Sequence, residues 1–217
     1  MDKPMDNYWN LHLTDLAEQL EKNGFDVRMA DSLDGAREVV INEILPEIKP
    51  KTVSWGGSAT FASSGLYEYL RDSPDYEALD TWDKNLSAED KNELRRQALL
   101  VDCFFAGTNA VTEDGHLVNL DMIGNRVGAI TYGPRNVVLL IGRNKLVTDL
   151  ERAMERIKEY VAPVNTMRLN MKTPCVKTGY CMDCASPDRI CNVWTITEKS
   201  FPKGRIKIVL INEDQGF

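Results

Sequence analysis

The chain has 217 residues, 43% of them hydrophobic and 27% charged, with a formal net charge of −7. That is enough apolar material for one full core and too little for several, so the whole chain, residues 1–217, reads as a single domain. The acids and bases are interspersed and no basic stripe appears, which argues against nucleic acid as a partner. Met1–Asn10 lacks an apolar leader core, and no apolar run is long enough for a membrane span, so a cytoplasmic location is expected.

Trp9, Leu13, Leu16, Ala17 and Leu20 recur at helical spacing, with Gly24 as a stop. Phe25, Val27 and Met29 alternate as a strand. A second helix is expected after Asp34, read as its N-cap, with Val39, Val40 and Ile44 inward until Pro46 disturbs it. Lys51–Trp55 reads as a strand, Gly56-Gly57-Ser58 as a turn, Thr60–Arg71 as a helix and Tyr76–Asp80 as a strand. Ser87 and Asp90 form a capping box for a helix ending near Leu100.

Val101–Ala106 reads as a buried strand. Asn109–Thr112 and His116–Asn119 flank Asp114-Gly115 as a hairpin. Asn136–Ile141 is another buried strand, and Thr148 with Glu151 opens a helix whose apolar face is Leu150, Ala153, Met154, Ile157 and Val161. Arg205–Ile211 closes the chain as a strand. This alternation predicts a three-layer α/β fold, a mainly parallel sheet with helices on both faces.

The irregular stretch, residues 171–192, carries Cys175, Cys181, Cys184 and Cys191 in the pattern C-x5-C-x2-C-x6-C. The segment has too few apolar residues to order itself, and thiolate coordination would supply that order. Zinc accepts four thiolates at many spacings. The order of spacings is also similar to the cluster loop of DNA glycosylases of the endonuclease III type, which holds a [4Fe–4S] cluster. Iron–sulfur is preferred over zinc. Reduced structural cysteines and a redox C-x2-C pair are the alternatives. Cys103, in an apolar strand, reads as a core residue.

Two polar segments are candidates for ligand binding. Gly56, Gly57, Ser58 and Thr60 lie between a strand and a helix, where backbone donors can turn toward an anion; the plain alternative is a tight turn with a Ser cap. Asn109, Asn119, Asp121, Asn125 and Arg126 follow the Val101–Ala106 strand and should gather at a carboxyl edge of the sheet, with Arg126 as an anion clamp. The alternative there is a solvated hairpin whose Asn and Asp residues suit turns.

Taken together, Trp55–Thr60, Val101–Pro134, Val137–Ala162, Pro174–Asn192 and the closing Gly216-Phe217 resemble the LUD (lactate-utilisation) domain family. The resemblance implies a fold similar to ribose-5-phosphate isomerases, glucosamine-phosphate deaminases and CoA transferases, with Gly56, Gly57, Ser58 and Thr60 as the phosphate- or carboxylate-binding loop. It further implies a role in oxidising lactate or a related small organic acid, as a subunit or accessory factor beside iron–sulfur partner subunits. The hairpin is also similar to a stretch of methylthioribose-phosphate isomerases, where an acid stands at the position of Asn109; asparagine cannot act as a general base there. The rivals are an isomerase or transferase acting on a phosphorylated or CoA-linked small molecule, and a non-catalytic ligand-binding module with a structural metal. No acid–base pair stands out, so turnover by this chain alone is left open, as is assembly into a homodimer.

Overall fold

The computed structural model describes residues 3–217. Helix α1 (Pro4–Lys22) presents Leu13, Leu16, Ala17 and Leu20 inward and leads into β1 (Asp26–Ala30). Helix α2 (Leu33–Val39) starts two residues earlier than the sequence suggested: Ser32, not Asp34, is the N-cap, its hydroxyl accepting from the Gly35 amide at 3.1 Å. Pro46 does not end that helix. A five-residue π turn, Val40–Ile44, widens the backbone ahead of α3 (Leu45–Ile48), so the missing proline N–H falls where the ladder has already shifted. The same device recurs at Pro163, behind the π turn Ile157–Val161.

Strand β2 (Thr52–Trp55) is followed by α4 (Ala59–Ser63) and α5 (Leu66–Asp72), which were expected as one helix. Gly65, at φ +73°, breaks them apart. β3 (Glu77–Leu79), α6 (Ala88–Gln97), β4 (Cys103–Ala106), β5 (Ala110–Thr112) and β6 (Leu117–Asp121) come next. The Ser87 cap forms as expected, with the Asp90 amide donating to its hydroxyl at 3.1 Å. Then follow α7 (Asn125–Thr131), β7 (Asn136–Gly142), β8 (Leu146–Val147), α8 (Leu150–Arg156), α9 (Ala162–Arg168), α10 (Pro174–Thr178), β9 (Val193–Thr197) and β10 (Ile206–Ile211). The cap of α8 is Asp149, one residue after the expected Thr148; its carboxylate accepts from the Arg152 amide at 2.8 Å.

Six strands form one parallel sheet in the order β1-β10-β7-β4-β2-β3. Its central strands are apolar on both faces. Phe104, Val137, Leu139, Ile208 and Leu210 pack under α1, while Phe105, Val138, Leu140, Val209 and Ile211 pack under α2, α4 and α5. Period-two alternation with both faces buried is why these strands read as continuous hydrophobic runs. The expected α/β class, with a mainly parallel sheet and helices around it, is what the chain forms.

The hairpin at Asp114-Gly115 forms too, but it belongs to a second sheet in the order β8-β5-β6-β9, with β5–β6 and β6–β9 antiparallel. Ala110, Val118 and Leu120 pack there against Ala153, Ile157 and Val161 of the α8 region. Because β5 leaves β4 and β8 leaves β7 at their carboxyl ends, this small sheet stands over the carboxyl edge of the large one. A deep cleft opens there.

Ile208, fully buried mid-strand, should cost about 2–5 kcal/mol when truncated to Ala. Met154→Ala, at a 38% exposed position of the expected apolar face, should stay within about 0.5 kcal/mol of wild type in the same urea titration.

Candidate functional site: a cationic cleft beside a four-cysteine pocket

The cleft encloses about 1350 Å³ and is lined by the loop after β2, α6 with both its acids (Glu89, Asp90, Glu93) and bases (Lys91, Arg95, Arg96), the loop after β4, the start of α7, α9 and Phe217. Two of the glycines are required by close packing. A Cβ on Gly56 would come within 2.9 Å of Arg126 Cγ and 3.2 Å of a Phe104 ring carbon, and one on Gly107 within 2.8 Å of Ser58 Oγ. Gly57 has nothing near it and borders the cleft. Ser58 caps α4, accepting from the Phe61 amide at 3.2 Å. That helix is only five residues long, so its dipole is small.

Arg126 is the keystone of the opposite wall. Its Nη1 donates to the Gly107 carbonyl at 2.9 Å and to Asn119 Oδ1 at 2.6 Å, and its Nη2 to Asn109 Oδ1 at 2.9 Å and the Leu120 carbonyl at 3.3 Å. Nε lies 3.8 Å from Asp121 Oδ1. Both terminal nitrogens of the guanidinium expected to clamp an anion are therefore taken up by the protein's own acceptors, and it pins the hairpin to the sheet edge. Burial lowers its pKa, and Asp121 opposes that. Asp121 also accepts from the Arg126 and Val127 amides at 3.1 and 3.2 Å, capping α7.

The nine candidate residues divide between cleft and scaffold. Gly57, Ser58, Thr60, Asn109, Asp121, Asn125 and Arg126 line the cleft. Asn119 is fully buried beneath it, with its oxygen accepting from Thr108, Asn109 and Arg126 and its Nδ2 without a partner. Gly56 supports the wall from behind.

Lys145, in the 3₁₀ turn Arg143–Lys145 after β7, was not singled out from the sequence. It lies in the cleft wall only 6% exposed, and its Nζ donates to the backbone oxygen of Phe217. Desolvation first, then the Arg156 and Arg126 charges, push its pKa down to about 7. Arg156 is held by the Asn144 carbonyl at 2.9 Å and the Asn109 carbonyl at 3.4 Å, and burial lowers its pKa as well. Among the described residues neither Lys145 nor Arg156 is countered by an Asp or Glu side chain; Asp121, beside Arg126, is the acidic side chain of this cluster. The signal available in the sequence was position: a loop after a buried parallel strand belongs to the binding edge.

The four cysteines of residues 171–192 meet around one cavity of about 20 Å³, room for roughly one water-sized sphere. Thr166 and Thr173 hydroxyls lie 3.3 and 3.2 Å from Cys175 Sγ. Arg189 ties the loop by donating to the Cys184 and Cys191 carbonyls at 2.6 and 3.0 Å, and Asp183 joins it to Lys158. All four are free thiols, and burial raises the pKa of Cys191 against the pull of Arg189 and Lys158. Among the described residues no set of three or more His, Cys, Asp or Glu side chains stands close enough to hold a single metal ion. Cys103 lies apart, fully buried in β4, with its thiol pKa raised by burial.

The two pockets touch. Ala162, Ile190 and Cys191 line both the cleft and the cysteine cavity.

The family model described as the LUD domain matches residues 13–211. The chain belongs to the LUD domain family. A DUF162 family protein from Deinococcus radiodurans has a similar fold, with a TM-score of 0.52 over 94% of this chain and 97% of that one at 11% identity. No curated protein matches this LUD domain significantly. No helix among the described residues is long and apolar enough to cross a membrane.

Two outcomes follow for this LUD domain. Arg126→Ala removes four hydrogen bonds of a buried guanidinium, two of them to backbone carbonyls, and should cost about 3 kcal/mol or more in urea unfolding. For Lys145, the folded pKa of about 7 lies below the unfolded value near 10.4, so the unfolded chain binds the extra proton between them. The cost of burying the charge is complete below pH 7 and is relieved as pH rises toward 10.4. Lys145→Met should accordingly gain stability over wild type at pH 6, and the gain should shrink by pH 9.5.

Proposed function

We propose that this LUD domain binds a small organic acid, lactate or a related hydroxy or oxo acid, in the cleft and serves as a subunit or accessory factor in its oxidation. The observation that carries the reading is the shared wall: Cys191 and Ile190 border the acid's cleft on one side and the cysteine cavity on the other. A group held by Cys175, Cys181, Cys184 and Cys191 would sit one side chain away from a ligand in the cleft.

The chemistry of the donor set supports such a group. Four thiols face one cavity, two hydroxyls lie against Cys175, and Lys158 and Arg189 offset the negative charge that thiolates bring. The preference for iron–sulfur over zinc rests on the order of the cysteine spacings, C-x5-C-x2-C-x6-C, and either group would need the loop to open around it, since the cavity as placed has room for about one water-sized sphere. Such a cluster supplies one-electron transfer when bound. The chain's own part is to hold the acid, exclude water from the shared wall with the buried Ile190, and keep the thiols ordered through Arg189. Electrons would pass to iron–sulfur partner subunits.

A second reading is favoured by size. About 1350 Å³ exceeds what a three-carbon acid fills, leaving space for a phosphorylated or CoA-linked molecule. At the position of Asn109, however, the side-chain oxygen already accepts from Leu120 N and Arg126, so no proton acceptor is offered there.

Protein purified without oxygen should contain iron and acid-labile sulfide, and its visible absorption should change when pyruvate is added. Cys184→Ala should lose the iron and destabilise the 171–192 segment to proteolysis. Wild type with neither iron nor zinc, together with an unchanged Cys184→Ala variant, would contradict the metal site.

A further inference from the structure

The sequence placed anion recognition on Ser58 and Arg126. The structure commits four of the five Arg126 donors, because each terminal nitrogen already meets two acceptors, and the fifth, on Nε, faces Asp121 at 3.8 Å. Ser58 is partly committed to its cap. The cleft's charge must therefore be answered elsewhere in the wall.

Lys145 is the group with capacity. An ammonium carries three donors, and the partner found for Nζ is one backbone oxygen, that of Phe217. It is 94% removed from solvent, with the Arg156 and Arg126 guanidiniums behind it and no Asp or Glu side chain against it among the described residues. Thr60 Oγ1 stands nearby: one point, the Cβ that Gly216 lacks, lies 2.9 Å from Thr60 Oγ1 and 3.3 Å from Lys145 Nζ. A glycine at 216 is what lets these two polar groups face the same small volume. Buried cations of one sign without matching acids make a preformed receptor for an anion.

We propose that Lys145 is the carboxylate-binding residue of the cleft, with Thr60 as its second donor, and that an incoming carboxylate takes the place of the Phe217 backbone oxygen. This rests on the organic-acid reading above and names the group that recognises the acid. The displaced segment, Gly216-Phe217, is held by this bond, by packing of Phe217 against the Ala110, Val118 and Ile157 cluster, by its ring under Arg168 with 6.0 Å from guanidinium carbon to ring centre, and by Asn144 Nδ2 donating to the Gly216 carbonyl at 3.4 Å.

The electrostatics add a signature. An amine near neutrality in the free protein becomes fully charged when an anion binds, so binding takes up a proton. The groups that set its charge state are Arg156 from α8, Arg126 from α7 with Asp121 beside it, and the oxygen of Phe217. Affinity for a carboxylate should be flat below pH 7 and fall about tenfold per pH unit above it.

The test is isothermal titration of lactate, pyruvate and inorganic phosphate into the full-length protein at pH 6.0 and 8.5, in buffers of different ionisation enthalpy. Wild type and Lys145→Met are compared, each first checked for cooperative melting, with Thr60→Val as a second variant. The expected result is pyruvate or lactate binding with proton uptake at pH 8.5, roughly tenfold or greater loss of affinity in Lys145→Met, disappearance of its pH dependence, and a smaller loss in Thr60→Val. If both variants bind these acids as wild type does, Lys145 is not the recognising group and the inference falls while the organic-acid reading stands. If wild type binds phosphate but neither acid, the ligand class is wrong. If wild type binds none of the three, the organic-acid reading itself is overturned.

Discussion

The buried guanidinium of Arg126 is the constraint on which the functional end of this molecule depends. A charge this deep needs partners in every direction, and the nearest carboxylate, at 3.8 Å, is not close enough to satisfy it alone. The protein answers with carbonyl oxygens from Gly107 and Leu120 and amide oxygens from Asn109 and Asn119. Those four residues belong to the loop after β4 and to β6, so one side chain from α7 fixes the hairpin over the sheet edge. The consequences spread outward. Gly56 must lack a side chain because the Arg126 stem occupies its space, and Gly107 must lack one because Ser58 does. The cleft has its shape because this pin cannot slide.

That pin also explains what could and could not be read from the sequence. The large sheet was legible because strands buried on both faces have to be continuous apolar runs, as in Asn136–Ile141 and Arg205–Ile211. The glycine loop and the hairpin were legible because turns impose local chemistry. Helix caps were right in kind and off by a residue or two where two capping residues adjoin, Thr148 beside Asp149 and Ser32 close to Asp34. The second sheet was not legible. Val193–Thr197 is a half-exposed strand whose partner, Leu117–Asp121, lies far back in the chain, and nothing local encodes that pairing. Arg126 looked like a clamp because sequence shows a donor but not the four acceptors that reach it. Lys145 looked like any surface lysine, since its burial comes from Gly216-Phe217 and α8 folding over it.

The cysteine segment and the cleft are mechanically joined as well as adjacent. Asn192 donates its amide N–H to the Asp121 carbonyl at 3.0 Å and its side-chain Nδ2 to the Met122 carbonyl at 3.1 Å, directly after Cys191. Asp121 in turn caps α7, which carries Arg126. Two hydrogen bonds and one helix start thus join the four-cysteine loop to the cleft wall. Family membership gives the fold, and this linkage is a property of the particular residues.

The central claim is that an organic acid and a thiolate-held group occupy the two sides of the Ile190–Cys191 wall. Diffraction from crystals of protein prepared without oxygen and soaked in pyruvate, with data collected at the iron absorption edge, tests it most directly. The account predicts one anomalous peak inside the cavity bounded by Cys175, Cys181, Cys184 and Cys191, and a carboxylate within hydrogen-bond distance of Lys145 Nζ across that wall. Pyruvate bound away from the cleft, or no anomalous peak among ordered thiols, would contradict it.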